Sequence, residues 1–294
     1  MRRSRSALAG LLATALLIAA CGGSGGDDPG TSDAGGPRVG DPGPIHVHGL
    51  GINPQDGALF AATHTGLFRV GEGERKARRV ADRYQDTMGF TVVGSDRFLG
   101  SGHPDLREDL PPFLGLVESR DAGRTWKPIS LLGKRDFHVL EAAGSRIYGF
   151  GSDFQTRKAG LLVSDDGGRS WDERTPPEGL ISLAIDPDDA DRVIGSGEKG
   201  LYVSIDAGRR WRGIEGGSSL LSWPEAEGVF AVARDGTVAR SDDAGGRWRE
   251  IGEIGGQPAA FEGQSADELY VALHDGTIKR STDGGASWSV RSTP

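Results

Sequence analysis

The chain is poor in sulfur: its 294 residues include one cysteine and two methionines. No disulfide can form within it, so stability has to come from packing. It also has no long apolar run. The most apolar stretch, Ala7 to Ala20, falls short of the roughly 20 residues that a membrane-spanning helix needs. Positive charge is in the minority, with 34 basic against 42 acidic residues and a net charge of −8. That balance argues against binding nucleic acid or anionic headgroups through bulk electrostatics. From Gly22 to Gly43 almost nothing can be buried, because Gly, Ser, Asp and Pro dominate.

What is present begins with export. Arg2, Arg3 and Arg5 form a positive start, and the apolar stretch that follows ends in small residues. The ending Ile18-Ala19-Ala20-Cys21 resembles the lipobox of bacterial lipoproteins, which implies acylation of the Cys21 thiol and a new N-terminus there. We therefore expect a signal peptide over 1–20, a lipid-anchored flexible linker over 21–43 and a folded part over 44–294. The expected location is the outer side of a bacterial membrane, held there through the lipid. Removing the signal takes away three arginines and no acids, so −8 becomes −11.

One octet recurs through the folded part. It reads Ser119-Arg120-Asp121-Ala122-Gly123-Arg124-Thr125-Trp126, and returns at Ser164, Asp166, Gly168 and Trp171. Further copies stand at Ser204, Asp206, Gly208 and Trp211; at Ser241, Asp243, Gly245 and Trp248; and at Ser281, Asp283, Gly285 and Trp288. Spacings near 40 residues mark a propeller or solenoid. The Asp and Ser side chains can cap turn amides, Gly supplies a positive φ, and Trp opens the next strand with a large apolar face. These octets resemble the Asp-box, or BNR, repeat of sialidases and sortilin-type receptors. The third and fourth copies depart from that pattern, with Arg210 and Arg247 where Ser or Thr is usual.

Short alternating segments before each octet read as strands. Six units emerge, starting near residues 44, 85, 136, 179, 218 and 256. The expected fold is an all-β, six-bladed propeller, with seven blades as the alternative. The first unit has no octet, and ring closure need not share a blade.

In a four-stranded blade the octet turns lie on one rim. The starts of the inner strands and the ends of the second strands lie on the other, the top. All six histidines map to the top. Aligned inner strands place His48, Met88 and His138 at one depth, with Ile181 in the fourth blade. His64, His103 and His274 take equivalent second-strand ends, beside Asp153, Glu198 and Arg234. An imidazole and thioether set (His46, His48, His64, Met88, His103, His138) suits copper or zinc. The bland reading is a polar propeller mouth whose groups satisfy one another. The long connection Pro104 to Gly115 also belongs to the top, where loops on a rigid scaffold often carry recognition.

The sialidase resemblance implies three arginines around a substrate carboxylate, a Tyr–Glu nucleophile pair and an acid/base Asp. The family's Arg-Ile-Pro segment has no match here, and Arg83, Arg107, Arg157 and Arg234 form no recognisable triad. The catalytic candidates are Tyr84, Asp86 and Asp136. A two-carboxylate glycosidase would draw on Asp86, Asp136, Asp153 or Glu198. The missing signature favours a monomeric binder of a metal ion, glycan or protein, with a sialidase-like hydrolase as the alternative.

Overall fold

The computed structural model describes residues 41, 43–226 and 228–294. The expected signal peptide, Cys21 and nearly all of the expected linker lie outside the described residues. The described chain contains no helix. Its strands form six four-stranded antiparallel sheets, each built from four consecutive strands. The fold is a six-bladed β-propeller, and the seven-bladed alternative is set aside.

The inner strands are Val47–Ile52, Asp86–Gly94, Arg135–Ala143, Leu180–Ile185, Ser219–Glu225 and Pro258–Gly263. The second strands of several blades are buried along their whole length, as in Leu59–Thr63, Val193–Gly197 and Leu269–Leu273. A strand sandwiched between two neighbouring sheets must be apolar on both faces, so these segments read as continuous runs rather than alternations. The first unit completes its blade with a short outer strand at Arg78–Arg79, two residues being too few to show a strand pattern.

The core is not one mass but six clusters, one between each pair of adjacent blades. Phe60, Phe98 and Trp126 join blades 1 and 2, and Leu116, Phe137 and Trp171 join blades 2 and 3. Trp211, Trp248 and Trp288 pack against the next three clusters in turn.

Each octet locks its blade to the one before it. The buried Ser164 Oγ accepts the Gly168 N–H at 2.8 Å and donates to Asp166 Oδ1 at 2.8 Å. The same Asp oxygen accepts the Ser170 N–H at 2.9 Å. The other four octets repeat this pattern. Glycine is required at Gly168, where φ is +84° and a Cβ would fall 2.1 Å from Leu116 of the preceding blade.

Blade 1 has no octet, and the seam between blades 6 and 1 is closed differently. Val47, Leu50, Tyr270 and Ile278 fill it with apolar contact. Outside that cluster, Arg291 donates to the Gly71 and Glu74 carbonyls, Ser292 Oγ donates to the Arg75 carbonyl at 2.9 Å, and Lys76 bridges Thr293. Among the described residues no strand crosses from one blade to another, as each blade is made of consecutive strands.

Candidate metal centre at the channel mouth

The pairing of each inner strand with its neighbour contains a detail that aims side chains. In blade 1, Val47 pairs with Thr63 and Gly49 with Ala62, so His48 is an extra, bulged residue. Met88, His138, Ile181 and Ala259 are skipped in the same way in blades 2, 3, 4 and 6. Blade 5 has no such slip, and Leu220 pairs regularly with Val232. A bulge bends the strand and re-aims the extra side chain. Here the bulge repeats at the depth where the inner strands open onto the top.

Three donors from two blades meet there. One ligand atom each from His48, His64 and Asp86 lies within 4.8 Å of the other two. The His64 ring stands 4.3 Å from His48 and 5.4 Å from His46, both edge-on. His64 Nδ1 and Asp86 Oδ1 are 2.9 Å apart. His48 Nε2 is buried and has no hydrogen-bond partner. Burial pushes the His48 imidazole down to a pKa of about 4, and the nearby His64, His138 and His46 push in the same direction. His48 is therefore neutral at physiological pH, the form that binds metal. His46 is exposed and adopts a positive φ of 52°, an uncommon state for a residue with a Cβ.

A second group lies beside the first. Asp136, only 3% exposed, holds two imidazoles on one oxygen. Its Oδ2 is 2.9 Å from His138 Nε2 and 3.4 Å from His103 Nε2. Its Oδ1 is buried without a partner. The hydrogen bond that His138 donates to Asp136 raises the His138 pKa, with smaller contributions from the charges of Asp136 and Asp86. The other His103 nitrogen, Nδ1, lies 2.8 Å from the Pro112 carbonyl.

The grouping differs from the set read off the sequence. His48 meets His64 and Asp86, while His138 turns to Asp136, although both line the upper channel. Met88 is half-buried at the bulge between them. His274 lies apart, exposed beyond the second strand of blade 6. The two aspartates stood among the catalytic candidates and not among the ligands. A signal for them existed: Asp86 and Asp136 each precede the bulge residue by two positions, as His46 precedes His48. The third catalytic candidate, Tyr84, is packed. The Arg79 and Arg107 guanidinium groups lie 3.9 Å and 5.0 Å from its ring centre. The loop after His103 is tied down by Asp105, which accepts the Tyr84 N–H at 2.9 Å and binds the Arg107 side chain.

Below the mouth the channel narrows. A space of about 90 Å³ under His48 and His138 is floored by Glu141 and Glu262. These two also line a wider space of about 600 Å³ toward the other face, together with Trp223. Desolvation raises both carboxyl groups, Glu262 to about 8. Sequence reading missed this pair. Its signal is two acids at one register, three residues past the bulge, in strands that are otherwise largely apolar.

No protein-family model and no curated protein matches this sequence. Solved structures do match in fold. A GH74 enzyme from Niastella koreensis aligns at 14% identity and TM-score 0.59, over 84% of this chain and 45% of its own. A chain of a nidogen/laminin complex aligns at 13% and 0.62, over 81% and 93%. YCF48 bound to a D1 peptide aligns at 14% and 0.52, over 85% and 82%. The present chain thus spans less than half the length of the GH74 enzyme. Likeness at these identities shows the propeller and nothing finer.

Proposed function

We propose that this protein is a metal-binding propeller of the Asp-box type, holding copper or zinc at its channel mouth through His48, His64 and Asp86. The observation that carries this reading is the convergence of three donor atoms, one each from His48, His64 and Asp86, within 4.8 Å; His48 also keeps a buried ring nitrogen, Nε2, without a hydrogen-bond partner. Two ligands about 2.0–2.1 Å from a tetrahedral ion stand about 3.4 Å apart. The cluster reaches that geometry by small shifts, with His64 and Asp86 moving apart from their 2.9 Å separation. Imidazole and carboxylate suit zinc and copper(II), and three protein ligands leave a fourth position open. The lipobox-like Cys21 would tether this site outside the cell membrane.

The test is zinc and copper affinity of the purified chain, measured by competition with a chromophoric chelator. Wild type should compete, and the His48→Ala/His64→Ala/Asp86→Ala variant should not. Equal behaviour of the two proteins would end the proposal.

A hydrolase is the second reading, because two carboxylates, Asp86 and Asp136, stand on adjacent inner strands within electrostatic reach of His138. Each of them is already engaged by histidine. Turnover of a fluorogenic sialoside by wild type, lost in Asp86→Asn, would favour that reading over the first.

A further inference from the structure

We infer that the other half of the top face holds a site for a free α-amino acid with an apolar side chain, its carboxylate on Arg234 and its ammonium on Glu198. The site is independent of the metal-binding reading above. A pocket of about 230 Å³ opens between blades 4, 5 and 6. Ile181, Leu220 and Val232 give it apolar walls, and the exposed Glu198, Arg234 and His274 give it a polar rim. Pockets for drug-sized ligands run to about 300–1,000 Å³, so this one suits a smaller molecule.

The rim repeats one position of the blade. Glu198, Arg234 and His274 each directly follow a second strand, after Val193–Gly197, Gly228–Ala233 and Leu269–Leu273. Hydrogen bonds fix the frame beneath them. Ser196 Oγ accepts the Ser219 N–H at 2.9 Å and Ser182 Oγ accepts the Leu221 N–H at 3.0 Å, so blade 4 holds the backbone on both sides of Leu220. The His274 N–H donates to the Gln257 carbonyl at 3.1 Å. A wall fixed in this way is formed before a ligand arrives, which lowers the ordering cost of binding.

Unused charge singles this pocket out. Among the described residues the side chains of Glu198, Arg234 and His274 make no hydrogen bond or ion pair. Three other top-face arginines are taken: Arg83 binds Glu108, Arg107 binds Asp105 and Arg135 meets Asp153. Glu198 and Arg234 line one pocket and yet do not bind each other, so each keeps its charge for a ligand. A free acid beside a free base suits a ligand that carries both signs and is neutral overall. Arginine meets a carboxylate through two parallel hydrogen bonds, and an ammonium donates the bonds that a carboxylate accepts. Ile181 is 44% exposed, and covering it with an apolar side chain removes that surface from water. A free amino acid carries both charges on one carbon, whereas a peptide puts them at opposite ends.

The experiment is isothermal titration calorimetry of the full chain, solubilised in detergent, with L-leucine as the probe. Wild type should bind L-leucine at least about tenfold tighter than glycine, which lacks the apolar side chain. L-Leucinamide and N-acetyl-L-leucine each lack one charge and should bind at least about tenfold more weakly than L-leucine. Arg234→Ala and Glu198→Ala should show the same loss, and circular dichroism establishes that they are folded. His48→Ala/His64→Ala should bind L-leucine as wild type does. No binding of L-leucine at millimolar concentration, or binding that folded Arg234→Ala and Glu198→Ala both keep, overturns the site and leaves the metal-binding reading standing. N-Acetyl-L-leucine binding as tightly as L-leucine overturns the free amino acid in favour of a peptide C-terminus. Loss of L-leucine binding in His48→Ala/His64→Ala would move the ligand to the metal mouth and overturn the assignment to this half.

Discussion

The two halves of the propeller share one backbone plan and differ in what they hang on it. At the inner-strand position that opens onto the top, blades 1 to 3 carry His48, Met88 and His138. Blades 4 to 6 carry Ile181, Leu220 and Ala259 at the same depth. Two residues earlier the first half has His46, Asp86 and Asp136, and the second has Gly179, Ser218 and Gln257. On the opposite rim the halves are alike, since the octets of blades 2 and 3 bond as those of blades 4 to 6 do. A repeat that keeps its turns but varies its mouth leaves the mouth free to differ between blades without loss of the fold.

The largest effect should come from the mouth. His48→Ala/His64→Ala should weaken zinc binding by at least about a thousandfold, since even outer-shell losses cost 10–100-fold. Ile181→Ala/Leu220→Ala, the matching change in the other half, should move it by less than about threefold. Chelator competition measures both. Similar losses in the two halves would mean that the mouth residues of blades 1 to 3 hold no special role.

The channel floor is where the halves meet on equal terms, with Glu141 from blade 3 and Glu262 from blade 6. Desolvation holds the Glu262 pKa at about 8 in the folded chain, against an ordinary value of 4.5. A carboxyl raised in this way stabilises the fold below its unfolded pKa, and the contribution is lost as pH rises from 4.5 toward 8. At pH 7 the shift amounts to about 3 kcal/mol at 1.36 kcal/mol per unit, an upper figure for groups that face a channel. Glu141→Gln/Glu262→Gln should therefore become more stable than wild type as pH rises from 5 to 8. Urea midpoints across that range report it. A wild-type stability that does not fall between pH 5 and 8 would contradict the assignment.

How much of this was legible beforehand follows the same division. The fold could be read because its signals are local: each octet carries its own Ser, Asp, Gly and Trp, and their spacing counts the blades. The top-face location of the histidines followed from that count. Their partners did not. His48 meets His64 across its own hairpin and Asp86 from the next blade, and a one-residue bulge decides where His48 aims. Bulges are set by register between strands, which no single segment encodes. The closing seam was hidden for a related reason, since Arg291 and Ser292 act through backbone carbonyls of residues 71, 74 and 75.

The bottom rim should show the halves behaving identically. Ser164→Ala and Ser241→Ala each leave a buried glycine N–H without its acceptor. Such a loss costs about 1–3 kcal/mol, and the two variants should agree within about 1 kcal/mol in chemical denaturation. A clear gap between them would mean that the octets are not equivalent after all.

The smallest effect tests the departure from the repeat at Arg247. In three octets a hydroxyl donates to the second Asp oxygen, from Thr125 at 2.6 Å, Ser170 at 2.7 Å and Ser287. In the third octet Arg210 Nε makes the same bond at 2.7 Å, so arginine there replaces the hydroxyl without loss of the contact. Arg247 bonds Asp243 through its backbone N–H at 2.8 Å. Arg247→Ser adds the hydroxyl donor on an exposed turn and should raise Tm by no more than about 2 °C. Arg210→Ser exchanges one donor for another and should leave Tm unchanged within about 1 °C. Calorimetry of the pair ranks them: a larger gain at Arg210 than at Arg247 would mean that the guanidinium is a poor substitute for the hydroxyl.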